Sequence, residues 1–164
     1  MMTAPSSDAL LVALVLCPGA YSRNRFYAMY ATPEGSSVRR RASLVRSIVS
    51  ELAHPDPLRR GRVTSMDDIS TQGHGTLTYV VSSLGLRRST VLSALELSII
   101  QYAVSRKVGA SAGFDVDETS HERLEIALCG LSPEIADSAR RVLENELFDG
   151  EVDESVWHNV HHEK

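Results

Sequence analysis

Two pairs of acidic and histidine residues have a spacing that could hold a metal. Glu51 and His54, like Glu118 and His121, stand three positions apart. In a helix this spacing places both side chains on one face, as a carboxylate-bridged di-iron centre requires. His54, however, precedes a proline at the expected end of a helix, and Glu118 lies at or before the expected start of one. We therefore expect neither pair inside a helix bundle and predict no metal site.

The other reactive residue types form no catalytic pattern. Cys17 and Cys129 lie in apolar runs and are expected to be small buried residues. The three histidines near the end of the chain could bind a transition metal opportunistically, but we expect them in a solvated tail. There is no local Ser-His-Asp or Cys-His arrangement and no glycine-rich phosphate loop. The sequence thus predicts a protein that is not an enzyme and holds no cofactor.

The arginines carry the clearest chemical implication. Seven of them lie between residues 39 and 62 with only two acidic residues, although the whole chain has a net charge of −4. A basic middle and an acidic end allow one surface to face an anion. We predict phosphate contacts from Arg39, Arg40, Arg46, Arg59, Arg60 and Arg62. The alternative is an ordinary solvated, arginine-rich helix face.

Two predicted elements position these arginines. Residues 37–54 form an amphipathic helix, because apolar residues recur at spacings of three and four, and Pro55 must end it. Residues 55–75 have no sustained period and many helix breakers, so we interpret them as a long loop. A loop of this length in a compact domain is usually functional or mobile.

Residues 76–105 are predicted to form two helices joined by a turn at Gly85. Apolar residues are spaced by three and four on both sides of this glycine, namely Leu77, Val80, Val81 and Leu84 before it and Val91, Leu92, Leu95, Ile99, Tyr102 and Ala103 after it. Glycine can take the left-handed conformation that ends a helix.

This arrangement resembles the generic helix-turn-helix of bacterial DNA-binding proteins. The resemblance is carried by Val81, Gly85, Thr90, Val91 and Leu95 at the spacing of that motif. It implies a second helix whose exposed N-terminal part meets base edges and phosphates. The DNA-contacting residues that it implies are Arg87, Arg88, Ser89, Thr90 and Ser93. A plain antiparallel helix hairpin is the alternative.

Residues 106–116 form either a small β-hairpin wing or a flexible linker, and two terminal helices follow. Thr119 with Glu122 fits a capping box, and Ser132 before Pro133 is a second start signal. This order of elements is similar in layout to the winged-helix regulators of the multiple-antibiotic-resistance type. That resemblance implies a homodimer built on the terminal helices.

The sequence as a whole predicts an all-α fold of five to six helices, with or without a small β-hairpin wing. Residues 1–150 are expected to form a single domain with the helix-turn-helix at 76–105, followed by a polar tail over 151–164. Two distant cysteines and the lack of a transmembrane run favour a cytoplasmic protein without a membrane partner. We predict a transcriptional regulator that binds double-stranded DNA. The alternative is a helical protein-protein interaction module or adaptor with a protein partner.

Overall fold

The computed structural model describes residues 6–17 and 33–146. The predicted tail at 151–164 and the histidines in it lie outside the described residues. In chain order the elements are α1 (Ser7–Leu16), α2 (Pro33–Leu52), β1 (Arg62–Met66), β2 (His74–Val81), β3 (Leu86–Ser93), α3 (Ala94–Val108), a 3-10 turn (Gly109–Ala112), α4 (Glu118–Leu128), α5 (Pro133–Arg141) and a π-helical turn (Val142–Glu146).

The fold is mixed α/β, and the all-α prediction is wrong in this respect. Among the described residues, five α-helices accompany a three-stranded antiparallel sheet with strand order β1-β2-β3. The chain divides into two compact units, one of residues 45–124 and one that combines residues 1–44 with residues 125–164. The single domain over residues 1–150 stays a prediction.

Residues 76–93 of the predicted helix-turn-helix lie in the β2-β3 hairpin instead, whereas residues 94–105 are helical, as predicted, and lie in α3. Every residue of β2 is paired with one of β3, from His74 opposite Ser93 to Val81 opposite Leu86. The run from Thr76 to Tyr79 alternates polar and apolar residues and is rich in β-branched and aromatic types, which favours a strand over a helix. Gly85, with a φ of 63°, lies in the turn between the strands and not at the end of a helix.

In the unit of residues 45–124, α3 packs against β2 and β3. Its core contains large side chains that are less than 2% exposed, namely Ile48, Leu52, Leu77, Leu92, Ile99, Ile100 and Leu124. Two hydrogen bonds join α3 to the first turns of α4, since the Ser120 hydroxyl donates to the Gln101 side-chain oxygen at 2.8 Å and Tyr102 contacts His121 at 2.6 Å. α3 therefore contacts both the sheet and α4.

No wing follows α3. Arg106 and Lys107 belong to the last turn of that helix, and residues 109–112 form a 3-10 turn instead of a hairpin. α4 also begins earlier than predicted, because the Asp117 carboxylate accepts a hydrogen bond from the Ser120 N–H at 2.8 Å. Asp117 thus takes the capping role that was predicted for Thr119.

The described residues of the other unit form helices and turns. All residues of α1 from Ala9 to Leu16 are buried, as expected for a helix that is apolar on every side. α1 contacts α5, which starts at the predicted Ser132-Pro133 signal. The apolar stripe of α5 and the π-helical turn is buried through Ile135, Ala139, Val142 and Leu143. This stripe therefore contributes to a core, and the homodimer through terminal helices stays a prediction.

Candidate nucleic-acid interface

The sheet has two chemically different faces. Along β2, buried residues alternate with half-buried ones, as a strand covered on one side requires. The buried set, which defines the inner face, is Gly75, Leu77, Tyr79 and Val81. The opposite set, Thr76, Thr78 and Val80, defines the outer face together with the residues directly across from it on β1 and β3.

Two predicted arginines share one row of the outer face. Arg62 on β1 and Arg87 on β3 are both directly opposite Val80, so the three side chains project to the same side. Two strand spacings separate the arginines, which corresponds to about 10 Å between their Cα atoms. Both residues are exposed. Their guanidinium groups therefore flank Val80 at the end of the sheet nearest the hairpin turn.

The next row of the outer face carries hydroxyl groups. The side chains of Thr78 and Ser89 are hydrogen-bonded at 3.0 Å, and the Thr64 hydroxyl donates to the Thr78 carbonyl at 3.0 Å. The β1-β2 register shifts between Val63 and Ser65, and this bulge accommodates Thr64 as an extra residue. Hydroxyl groups both donate and accept, so this row can bind phosphate or base edges.

The charged residues of the sheet are all basic. Within the three strands, which the structure describes completely, there are three arginines and no aspartate or glutamate. Directly after β1, the Asp67 N–H donates to the Thr76 carbonyl at 2.9 Å, so its carboxylate belongs to the end of the sheet away from the arginines. Positive potential is thus concentrated at the turn end of the outer face.

The loop before β1 adds two arginines with different roles. The Arg59 side chain is 70% exposed, and its ion pair with Asp56 is long at 3.9 Å. Because such an exposed ion pair is weak, the positive charge of Arg59 remains available to a ligand. Arg60 is half-buried and donates through Nε to the His54 carbonyl at 3.0 Å. The Ser82 hydroxyl donates in turn to the Arg60 carbonyl, which ties this loop to the hairpin turn.

Arg88 and Thr90 do not belong to the outer face. They are opposite Tyr79 and Leu77, respectively, so their side chains project to the inner side of the sheet. Burial raises the pKa of Tyr79 above its ordinary value of 10.0, and the negative charge of Glu51 raises it further, while interactions with Thr90 and Arg88 act in the opposite direction. Arg88 and Thr90 therefore lie on the inner side of the sheet, where Arg88 is exposed and Thr90 is half-buried.

Ser93 starts a helix. Its hydroxyl accepts a hydrogen bond from the Glu96 N–H at 3.2 Å, and the Glu96 carboxylate accepts one from the Ser93 N–H at 2.7 Å. These two bonds form a capping box at the start of α3. The Ser93 hydroxyl, which was predicted to contact a base, is therefore engaged in the cap of α3.

The predicted arginines of α2 differ in their exposure. Arg46 is only 6% exposed, because it lies between Ala42 and Val49 on the buried stripe of the helix. A side chain buried to this extent presents little surface to a phosphate group, and the contact predicted for Arg46 stays a prediction. Arg39 is half-buried and Arg40 is exposed, and both belong to the other compact unit.

Each of the Glu-x-x-His histidines has a hydrogen-bonding partner. His54 Nδ1 accepts from the Asp56 N–H at 3.0 Å, and His121 Nδ1 contacts the Tyr102 hydroxyl at 2.6 Å. Within residues 6–17 and 33–146, no group of three or more His, Cys, Asp or Glu side chains is placed to hold a metal ion.

The structure thus brings together Arg62, Arg87 and Ser89 of the predicted site, with Arg59 in the preceding loop. The sequence prediction did not include the outer-face residues Ser65, Thr76, Thr78, Val80 and Val91, nor Thr64 in the bulge. The alternation of threonines with apolar residues in β2 is the signal that could have found them.

Comparison of the chain with protein-family models, curated proteins and solved structures finds no match. In the part of the chain that the structure describes, no helix combines the length and apolarity needed to cross a membrane.

Proposed function

We propose that the protein binds double-stranded DNA through the outer face of its three-stranded sheet. The observation that supports this proposal is the cross-strand row of Arg62, Val80 and Arg87, next to a row of hydroxyl groups, on strands that contain no acidic residue. Arginine binds phosphate through charge-assisted hydrogen bonds, and hydroxyl groups add neutral ones. DNA recognition is thus assigned to strands in place of a helix-turn-helix.

The dimensions of the face suit the major groove. This groove is about 12 Å wide and admits a β-ribbon. The row that holds Arg62 and Arg87 is about 10 Å wide between Cα atoms, so two extended guanidinium groups can reach the phosphates on both sides. The hydroxyls of Thr78 and Ser89 then face the base edges between them.

A duplex fits this surface better than a single strand. Proteins that bind single-stranded nucleic acid stack bases on aromatic side chains. Tyr79 is the one Phe, Tyr or Trp residue of the three strands, and it is 4% exposed on the inner face, while the other aromatic ring in them is the imidazole of His74 at the start of β2. The major groove of an RNA duplex is deep and too narrow for side chains to read. DNA is therefore the proposed ligand.

Fluorescence anisotropy with a labelled mixed-sequence duplex tests the proposal. The variant Arg62→Gln/Arg87→Gln should bind at least about tenfold more weakly than wild type, equal to about 1.4 kcal/mol. Arg106→Gln/Lys107→Gln removes the same charge from the exposed end of α3 and serves as the matched control. Equal losses in both variants, or no binding by wild type at low salt, would contradict the proposal.

A role in transcription regulation further requires that the protein prefers particular sequences. Hydroxyl and apolar side chains beside the arginines can read base edges, whereas phosphate contacts alone position a protein without specifying sequence. Selection from a pool of random duplexes tests this part of the proposal. Enrichment of a common motif supports a regulator, and a pool that stays random contradicts it.

A protein-interaction module is the second candidate, and exposed leucines favour it. Leu84 and Leu86 at the hairpin turn are 58% and 52% exposed, and Leu58 in the loop before β1 is 88% exposed. Exposed apolar side chains beside arginines are common at protein interfaces. A protein partner that is lost with Leu84→Ser/Leu86→Ser but retained by Arg62→Gln/Arg87→Gln would favour this function over DNA binding.

A further inference from the structure

One aliphatic side chain on the outer face is exposed among polar ones. Val91 is 59% exposed and is directly opposite Thr76, whose outward position is fixed by its buried neighbours in β2. Ser89 and Arg87 are on the same side of β3 at two and four residues from Val91. The outer side of β3 therefore presents a cation, a hydroxyl and an aliphatic group in a line.

The spacing of this line fits a DNA groove. Residues two apart on a strand are separated by about 6.8 Å. Successive nucleotides of one DNA strand are separated by about 3.4 Å along the helix axis, so the three side chains of β3 can address positions about two base pairs apart. Each of these side chains can then meet a different base pair or phosphate.

Only one group in the major groove is apolar. Among the base edges exposed there, nitrogen and oxygen atoms donate or accept hydrogen bonds, and the 5-methyl group of thymine offers an apolar contact instead. 5-Methylcytosine carries the same group at the same position of the pyrimidine ring. We infer that Val91 contacts a pyrimidine 5-methyl group, which makes methyl-bearing base pairs the preferred ligand of this face. The inference rests on the proposed DNA binding.

The position of Asp67 supports different roles for the two ends of the outer face, one in phosphate contact and one in base contact. Its backbone is bonded to Thr76, the residue opposite Val91. A carboxylate disfavours phosphate in its neighbourhood, so this end of the face is unsuited to backbone contact. Phosphate contacts then belong to the row of Arg62 and Arg87, and the row of Thr76 and Val91 faces bases.

Duplexes that differ only in this methyl group provide the test. Alternating A-T duplexes are compared with alternating A-U duplexes, and alternating G-C duplexes with their 5-methylcytosine counterparts, by anisotropy at one salt concentration. Repeating sequences present the group at every register, so the target site need not be known. Wild type should bind the methylated member of each pair about threefold to fourfold more tightly, the factor for one buried methyl-sized group.

A graded series at position 91 assigns the effect to this side chain. Val91→Thr keeps one methyl group and should reduce the preference, and Val91→Ser should abolish it. The readout is the ratio of affinities within each duplex pair, so a general loss of affinity in a variant does not affect the result, and circular dichroism of each variant shows that it is folded. Comparing variants across duplex pairs cancels differences in DNA stiffness.

Different results would overturn the inference about methyl groups and the proposed DNA binding. Binding of all duplexes without any methyl preference, or a preference that persists in Val91→Ser, would overturn the inference and leave DNA binding in place. Failure of wild type to bind any duplex would overturn the proposed function and the inference together. A preference for thymine over uracil without one for 5-methylcytosine would contradict the shared-methyl account.

Discussion

Ser93 and Glu96 exchange two hydrogen bonds at the point where β3 ends and α3 begins. The hydroxyl of Ser93 accepts from the Glu96 N–H at 3.2 Å, and the carboxylate of Glu96 accepts from the Ser93 N–H at 2.7 Å. The Ala94 N–H, one residue further, donates to the Gly73 carbonyl at 2.9 Å. The chain therefore leaves the sheet and enters the helix without an intervening loop.

Ser93→Ala should lower the free energy of unfolding by about 1 kcal/mol, because the first turn of α3 loses its side-chain acceptor. Urea denaturation measures this change. Ser89→Ala is the control, since its hydroxyl is on an exposed face, and it should change stability by less than about 0.5 kcal/mol. Equal effects of the two substitutions would show that the capping box contributes little.

Two glycines should tolerate substitution differently. A Cβ atom on Gly61 would lie 2.6 Å from the Val80 carbonyl oxygen, whereas one on Gly85 would meet nothing within 4 Å but would carry a φ of 63°. Gly61→Ala should destabilise by about 1–3 kcal/mol through this clash. At Gly85, asparagine should be close to wild type because it tolerates the left-handed region, while Gly61→Asn should stay destabilised. Thermal unfolding distinguishes these outcomes.

The helices could be predicted where the signals are local. The apolar repeat before Pro55 and the Ser132-Pro133 start signal gave α2 and α5, and the structure confirms both in outline. The helix spacing of Leu77 and Val80 was misleading, because these two residues are on opposite faces of a strand. β1 gave no signal, since its five residues include a bulge and little buried surface.

The candidate site could not be assembled from the sequence for a related reason. Arg62 and Arg87 are 25 positions apart, and only the pairing of both with Val80 places them in one row. Strand pairing of this kind depends on tertiary packing and on register, in which a shift of one residue would reverse the faces. The arginines were therefore identifiable by type, but their arrangement was not.

Tyr79→Phe should alter the dependence of stability on alkaline pH. The pKa of Tyr79 in the folded protein is above 10.0, chiefly because of burial, so the neutral phenol stabilises the fold below about pH 10, its ordinary value. This contribution is lost as the pH rises through the raised pKa. The unfolding free energy of wild type should fall more steeply above pH 10 than that of Tyr79→Phe, and parallel curves would contradict the prediction.

Asp67→Asn should strengthen DNA binding. The carboxylate at this position is exposed next to the outer face and repels phosphate, so its removal should lower Kd by about twofold to threefold at low salt, with a smaller change at high salt. Asp115→Asn is a matched control at another exposed aspartate of the same unit. If both variants gain affinity equally, net charge and not position explains the effect.

The salt dependence of affinity should report the number of phosphate contacts made by the arginine row. Each contact contributes about −0.9 to the slope of log K against log salt concentration. The Arg62→Gln/Arg87→Gln variant should therefore have a slope that is shallower by about 2 than that of wild type. An unchanged slope would mean that neither guanidinium contacts phosphate.

NMR titration of the isotopically labelled protein with a short duplex locates the DNA-binding surface residue by residue. If DNA contacts the outer face of the sheet, the largest amide shifts fall on Arg62, Thr78, Val80, Arg87 and Val91, with small shifts at Arg106 and Lys107 on α3. Shifts confined to Arg39 and Arg40 on α2, or the absence of shifts at low salt, would show that DNA does not bind this face.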